Sequence, residues 1–400
     1  MTETKILITL AALVSIIAHA TPARCCPFCS APQQTLSEMI GDSDHLVLAR
    51  WIEGDRPNSK SPGTAQFEII AVGRSRDDIL SEGQMIELPF YVAGVRSSLY
   101  ALMGPGTDFL NWQSPIEVTQ DSWDYLCNCP VPETEPERKT ERLAFFLDYL
   151  EHPERIVSND AFGEFAAAPY SIIRPLRDSL PREKLHHLIT DPDTPVTRLA
   201  LYGLLLGLCG TEEDAEAMKT RILEVDDDFR LGLEGIMSGY VMITGEDGLR
   251  VLEDAKMRRS TYTDSTGEEK QLPFSETYAA VSTIRFLKRH ESDWIPLERL
   301  TQSMHLLLSR PELSDLIIMD LARWKDWTVQ DRLMAMYDEE DFQIPSIKRA
   351  IVRYMLSCVK AGNKDPEQDP KYAEAAEAYL RTLEEKDPKT VRNAKRFFIR

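Results

Sequence analysis

Sulfur is the element with the most chemical options in this chain. Five of its seven cysteines stand in two tight groups, Cys25-Cys26-Pro27-Phe28-Cys29 and Cys127-Asn128-Cys129. Three chemistries fit that spacing. Cysteine pairs in an exported protein commonly form bridges, and bridges between the two groups would fasten the ends of everything between them. Closing a loop of that length stabilises by roughly 4–5 kcal/mol at most in the chain-entropy model. Cys26 and Cys29 are the favoured partners for Cys127 and Cys129, with the adjacent Cys25 leaving the connectivity open. Second, Cys26-Pro27-Phe28-Cys29 has the spacing of a redox dithiol. Such a dithiol needs a preceding strand and a helix start to lower a thiol pKa, and almost no mature chain precedes it here. Third, Cys26, Cys29, Cys127 and Cys129 could surround a zinc ion tetrahedrally, which an oxidising compartment disfavours. The bridged reading is preferred, with no catalytic residue, metal or other cofactor expected. Cys209 and Cys358 fall in apolar helical stretches and read as small buried hydrophobes.

The compartment follows from residues 1–20. Lys5, the apolar run from Ile6 to Ile17 and Ala18-His19-Ala20 together have the form of a cleavable export signal. The run is shorter than the roughly 20 apolar residues of a membrane span. A periplasmic or extracellular protein is therefore expected, without stable membrane insertion after cleavage. The net charge of −19 is spread along the chain: residues 25–130 carry 14 acids and 6 bases, and residues 131–400 carry 50 and 38. Such a surface repels phosphate backbones, so nucleic acid is excluded as a partner and protein is favoured. Lys389, Arg392, Lys395, Arg396 and Arg400 form a basic final helix, which suits the dipole at a helix C-terminus.

The elements that must position the cysteines change character near residue 130. Before it, period-two or apolar runs at 45–52, 64–72, 84–92, 97–103 and 115–120 predict five short strands, with Ala65, Phe67, Ile69 and Ala71 sharing one face. Turn residues separate them at 55–58, 61–63 and 104–106. That count in about 100 residues fits a small closed or half-closed β-barrel over 25–130. Thr35, followed three residues later by Glu38, predicts a capped helix in front of it. Residues 131–136 read as a linker. From 137 to 400 the apolar period becomes helical, in stretches of about 10–17 residues with short breaks. The polar stretch 258–273 reads as a loop between helices.

Two resemblances attach to these residues. The cysteine group near the mature N-terminus, the helix-like 33–40, the first strand Asp42 to Arg50 and a second cysteine group after the last strand resemble a netrin-like module. This is the OB-type barrel also found in tissue inhibitors of metalloproteinases. The chain departs from that pattern in lacking a cysteine just before the first strand. Cleavage after Ala20 would also leave Thr21 to Arg24 ahead of Cys25, which argues against zinc chelation by a cysteine N-terminus. In the second half, Asp193-Thr194-Pro195-Val196-Thr197-Arg198-Leu199-Ala200 and Gln343-Ile344-Pro345-Ser346-Ile347-Lys348-Arg349-Ala350 share a proline, a basic residue three later and an alanine five later. This resembles degenerate HEAT repeats over about 137–361, whose stacked helix pairs would expose a long binding face.

Chemistry beyond sulfur is sparse. There is no G-x-S-x-G, no phosphate-binding glycine loop, no H-E-x-x-H and no C-x-x-C-H. His186 and His187 are neighbours on a helix and point about 100° apart. Asp226 to Asp228 and Asp338 to Asp341 lack the spacing of a calcium loop. Trp51, Trp112 and Trp123 suit core packing. The expectation is an α+β multidomain chain, a five-stranded OB-type barrel followed by an all-α HEAT-like array. It would act as a non-catalytic exported interaction or scaffold protein. No motif specifies its oligomeric state. The alternatives are a thiol oxidoreductase using Cys26 and Cys29, or a zinc protein.

Overall fold

The computed structural model describes residues 34–106, 111–225, 230–264, 266–364 and 368–396. The chain is α+β and forms two compact units, one ending at Lys184 and the other beginning at Leu185. The proposed export signal and Cys25, Cys26 and Cys29 lie outside the described residues.

The first unit opens with helix α1 (Leu36–Gly41). Its start is local chemistry: the Thr35 hydroxyl accepts from the Glu38 N–H and the Glu38 carboxylate accepts from the Thr35 N–H, as the sequence predicts. Five antiparallel strands follow, β1 (His45–Asp55), β2 (Thr64–Ser75), β3 (Met85–Leu88), β4 (Leu99–Gly104) and β5 (Ile116–Val118). Their order in the sheet is β3-β2-β1-β4-β5. Three consecutive strands with the fourth returning beside the first make a Greek key. No ladder joins β3 to β5 among the described residues, so the sheet is open.

Bulges bend the two long central strands. The register skips Ile70 between the pairs Ala49–Ile69 and Leu48–Ala71, and skips Gly73 between Val47–Val72 and Leu46–Arg74. Each extra residue flips the side-chain alternation. Ala65, Phe67 and Ile69 therefore face one core as expected. Beyond the bulge Val72, and not Ala71, continues against it. That core also holds Val47, Ile86, Leu88, Leu102 and Trp112, with Phe67 and Tyr100 meeting edge-on at 5.5 Å. Full burial of Phe67 and Leu88 contributes about 1.5–3 kcal/mol each relative to exposure. Trp51 packs against the same core, and Trp112 and Trp123 are buried, as expected for structural tryptophans.

Helix α2 (Gln120–Asn128) follows β5 and covers β2 at its bulge. A Cβ on Gly73 would stand 2.9 Å from the Trp123 ring and 3.1 Å from the Cys127 sulfur, so only glycine fits beneath the helix. Residues 131–134 are irregular, and helices α3 (Pro136–Phe145), α4 (Arg155–Ala167) and α5 (Tyr170–Ile173) complete the unit. The compact unit therefore continues past the stretch read as a linker.

Helix α6 (Arg182–Thr190) comes next in the chain, and the second unit is almost entirely helical. Helices α7 (Leu199–Cys209), α9 (Leu233–Thr244) and α11 (Phe274–His290) are parallel neighbours, with α8 (Glu212–Leu223) and α10 (Glu246–Leu252) as the connecting helices. α7 and α9 touch backbone to backbone: a Cβ on Gly235 would lie 2.0 Å from the Ala200 oxygen, and one on Gly239 2.0 Å from the Gly203 oxygen. α9 and α11 are pinned by the Thr283 hydroxyl on the Glu234 oxygen at 3.1 Å. α12 (Leu297–His305), α13 (Pro311–Arg323), α14 (Gln330–Met336), α15 (Pro345–Gly362), α16 (Pro370–Lys386) and α17 (Pro388–Arg396) follow. Pro345 occupies the first turn of α15, where its missing N–H costs nothing. The polar stretch before α11 is not all loop. Two short antiparallel strands, β6 (Thr261–Thr263) and β7 (Glu269–Gln271), form a hairpin there. No described helix is long and apolar enough to cross a membrane.

Candidate functional site

The second cysteine group sits at the edge of a buried polar cluster in the first unit. α2 carries Trp123, Tyr125 and Leu126 inward, and Cys129 caps its C-terminal end. Across from them α4 presents Asp160 and Glu164, one turn apart and each 6% exposed. The two carboxylates hold the start of α1. Asp160 accepts from the Leu36 N–H at 2.6 Å and from the Tyr125 hydroxyl at 2.7 Å. Glu164 accepts from the Thr35 hydroxyl at 2.6 Å and from Arg142 at 2.7 Å. Arg142 of α3 also donates to the Ser37 hydroxyl oxygen and to the carbonyls of Pro130 (3.2 Å) and Val131 (3.0 Å). Its guanidinium lies over the Phe146 ring, 5.0 Å from the centroid. One arginine thus ties the chain before α1's second turn to the chain just after Cys129. A cavity of about 230 Å³ with mixed polar and apolar walls opens beside this pair, lined in part by Lys139, Glu38, Pro132 and Ile172.

The electrostatics of the cluster hold protons and oppose nucleophilic chemistry. Burial pushes the Asp160 carboxyl up to about 6, against the pull of the Tyr125 and Leu36 donors. Burial, then the Asp160 charge, pushes the Cys129 thiol up to about 12. Burial and the neighbouring Asp160 also raise Tyr125. Cys127, exposed on the same helix, is raised by partial desolvation and then by Asp124. A thiol above its ordinary value is mostly protonated near neutral pH and is a poor nucleophile. Cys127 and Cys129 form no disulfide with each other or with Cys209 or Cys358. Among the described residues no group of three His, Cys, Asp or Glu side chains is arranged to hold a metal. The full four-cysteine set includes Cys26 and Cys29, which fall outside them. Cys358 is buried, donated to by the Gln330 amide at 3.2 Å, and pushed up to about 11.

Residue-type reasoning missed Asp160, Glu164, Arg142 and Tyr125. A signal was present: two acids four apart, Asp160 and Glu164, share a helix face with Val157, Ala161 and Phe165, and an acid on an apolar face needs a partner. The two histidines diverge as their adjacency requires. His186 Nδ1 lies 2.7 Å from the buried Asp214 carboxylate, while His187 points outward toward Asp191 at 3.8 Å.

A second constellation lies on the outer side of α11 and α13. Phe274 and Tyr278, 49% and 37% exposed, stack with ring centroids 5.6 Å apart. Arg285 lies over the Tyr278 ring at 5.7 Å, and its fork reaches the Asp320 carboxylate of α13 at 2.6 Å. One turn before Asp320, Leu316 is 38% exposed. Lys288 stands over the Trp324 ring at 5.7 Å. Aromatic rings and guanidinium groups held rigidly at a helical surface are the residue types that dominate binding interfaces. No protein-family model, curated protein or solved structure matches this chain.

Proposed function

We propose that this chain is a non-catalytic exported interaction protein that binds another protein through its helical array. The observation that carries the reading is the set of exposed side chains Phe274, Tyr278 and Leu316 with Arg285, on α11 and α13, two helices tied by the Arg285–Asp320 ion pair. A stacked, cation-capped aromatic pair loses little conformational entropy on binding. The parallel packing of α7, α9 and α11, with α8 and α10 between them, supports a HEAT-like repeat array. The Greek-key order and the bulged central strands support an OB-type, partly open barrel for the sheet. In this reading the two cysteine groups clasp that module outside the cytosol.

The test is native capture with the full chain and with a Phe274→Ser/Tyr278→Ser/Leu316→Ser variant. All three side chains are more than a third exposed, so folding is retained. A stoichiometric protein partner held by the wild type and lost by the variant supports the reading. Equal capture by both, or no partner under native conditions, overturns it.

A further inference from the structure

After α10 the chain makes one π-helical turn, Glu253–Met257, closed by the Arg258 N–H on the Glu253 oxygen at 2.8 Å. π-turns inside helices re-aim side chains and recur at functional sites. Here the turn drives Lys256 inward, where it is fully buried against Glu276, which Arg230 also grips with both ends of its fork. It sends Glu253 onto Arg299 at 2.6 Å and the Ser303 hydroxyl at 2.6 Å. Outside that turn is a polar cleft of about 530 Å³ whose walls carry Arg250, Arg258 and Arg299, together with Gln302, Glu253 and Asp254.

Three guanidinium groups against two carboxylates, Glu253 and Asp254, give the walls of this cleft a positive balance in a chain whose net charge is −19. Each guanidinium has about five N–H donors in a fixed plane. Hydrogen bonds among the described residues occupy one donor of Arg250 (to Asp247), one of Arg258 (to Asp254) and two of Arg299. Glu253 is 4% exposed and committed to Arg299 and Ser303. Arg250 is touched by two exposed acids, Asp247 and Glu246, 84% and 48% exposed, and Arg258 by the exposed Asp254, 69% exposed, as well as by the buried Glu253 at 3.5 Å. Exposed pairs of that kind are worth about 0–1 kcal/mol, so an incoming anion replaces them at little cost. Arg299, 18% exposed and locked by its partners, supplies a preorganised floor.

We infer that this cleft is a binding site for a small tetrahedral oxyanion, free phosphate or a terminal phosphoryl group, held by the forks of Arg250 and Arg258 over Arg299. Planar forks match phosphate oxygens two at a time. The surrounding acidic surface excludes long polyanions while leaving a compact anion room to enter. The inference is independent of the protein-binding ridge on α11 and α13.

The experiment uses the full chain and inorganic phosphate as probe, against chloride at matched ionic strength. Binding to the folded state raises the unfolding midpoint by mass action, by roughly 2–5 °C near ten times the dissociation constant. Phosphorus NMR line broadening reads the same event without unfolding. Both signals vanish in the Arg250→Gln/Arg258→Gln variant, whose altered side chains are 60% and 52% exposed and so leave the fold intact. A glycerol phosphate arm separates the sources: an equal shift assigns a phosphoryl group on a larger molecule, and its absence assigns the free anion. No phosphate-specific shift in the wild type, or an undiminished one in the double variant, overturns the site.

Discussion

Thr35 donates its hydroxyl proton to Glu164 at 2.6 Å across 129 residues of chain, while the same oxygen accepts from the Glu38 N–H at 3.2 Å. A local cap and a long-range tie therefore share one atom. Replacing Thr35 by Val removes both and leaves a buried carboxylate oxygen short of a partner. The expected cost is roughly 2–3 kcal/mol in denaturant unfolding. Thr35→Ser keeps both bonds and should stay close to wild type. If the two variants are equally stable, the hydroxyl is not the tie.

Arg142 is the counter-charge for Glu164, and the two side chains are 12% and 6% exposed. Arg142→Met strands that carboxylate and should destabilise by about 3–5 kcal/mol. Arg142→Lys recovers only part of this, because one ammonium cannot reach Glu164, Ser37 and the Pro130 and Val131 carbonyls together. Urea midpoints of the two variants decide the point.

Asp160 gives the first unit a specific pH response. Its folded pKa, pushed by burial to about 6, lies above the ordinary 3.8. Between those values the folded protein holds more protons than the unfolded chain, so this group's contribution falls as pH rises through the window and stays low above it. The full swing is about 3 kcal/mol at most. Asp160→Asn is neutral at every pH. The stability of the wild type relative to this variant should therefore improve as pH drops from 7 to 4. A flat difference across melting curves in that range contradicts the assignment.

Gly239 lies where α9 meets α7. Gly239→Ala would place a methyl group 2.0 Å from the Gly203 oxygen, a backbone atom that cannot rotate away. Loss on the order of 3 kcal/mol or more is expected. Gly83→Ala is the control: its φ of +78° is strained, but no atom lies within 4 Å, so the cost stays near 1 kcal/mol. Thermal midpoints of the pair separate helix contact from backbone strain.

Peptide mapping of the full-length protein, purified without reductant, tests the clasp. The expected products join Cys127 and Cys129 to cysteines of the group Cys25, Cys26 and Cys29. In the reduced, native protein, the exposed Cys127 should alkylate before the buried Cys129. Native Cys129 labelling as fast as Cys127, or stoichiometric zinc in gently purified material, would displace the disulfide reading.

Much of this architecture is written locally. The capping box at Thr35, the alternation of Ala65, Phe67 and Ile69, and the proline at the head of α15 each depend on neighbours within a few residues. Short-range sterics and periodic burial suffice to predict them; the change from strands to helices comes earlier than the sequence reading places it, between Val118 and Gln120, where helix α2 begins. The bulges at Ile70 and Gly73 escape such reading, because an extra residue is defined only by the register of the partner strand. So do the hairpin 261–271 and the ridge on α11 and α13. A polar stretch or a surface aromatic carries no mark of what it will lie beside.

Composition and periodicity by themselves determined an acidic chain with a β-rich N-terminal part, a helical remainder and sulfur concentrated at two places. Only the tertiary structure decided that Asp160 and Glu164 would grip the start of α1, and that Arg250, Arg258 and Arg299 would share one cleft. The physical reason is that a charge acquires meaning from burial and from partners far away in sequence. Neither is a property of the residue or of its neighbours along the chain.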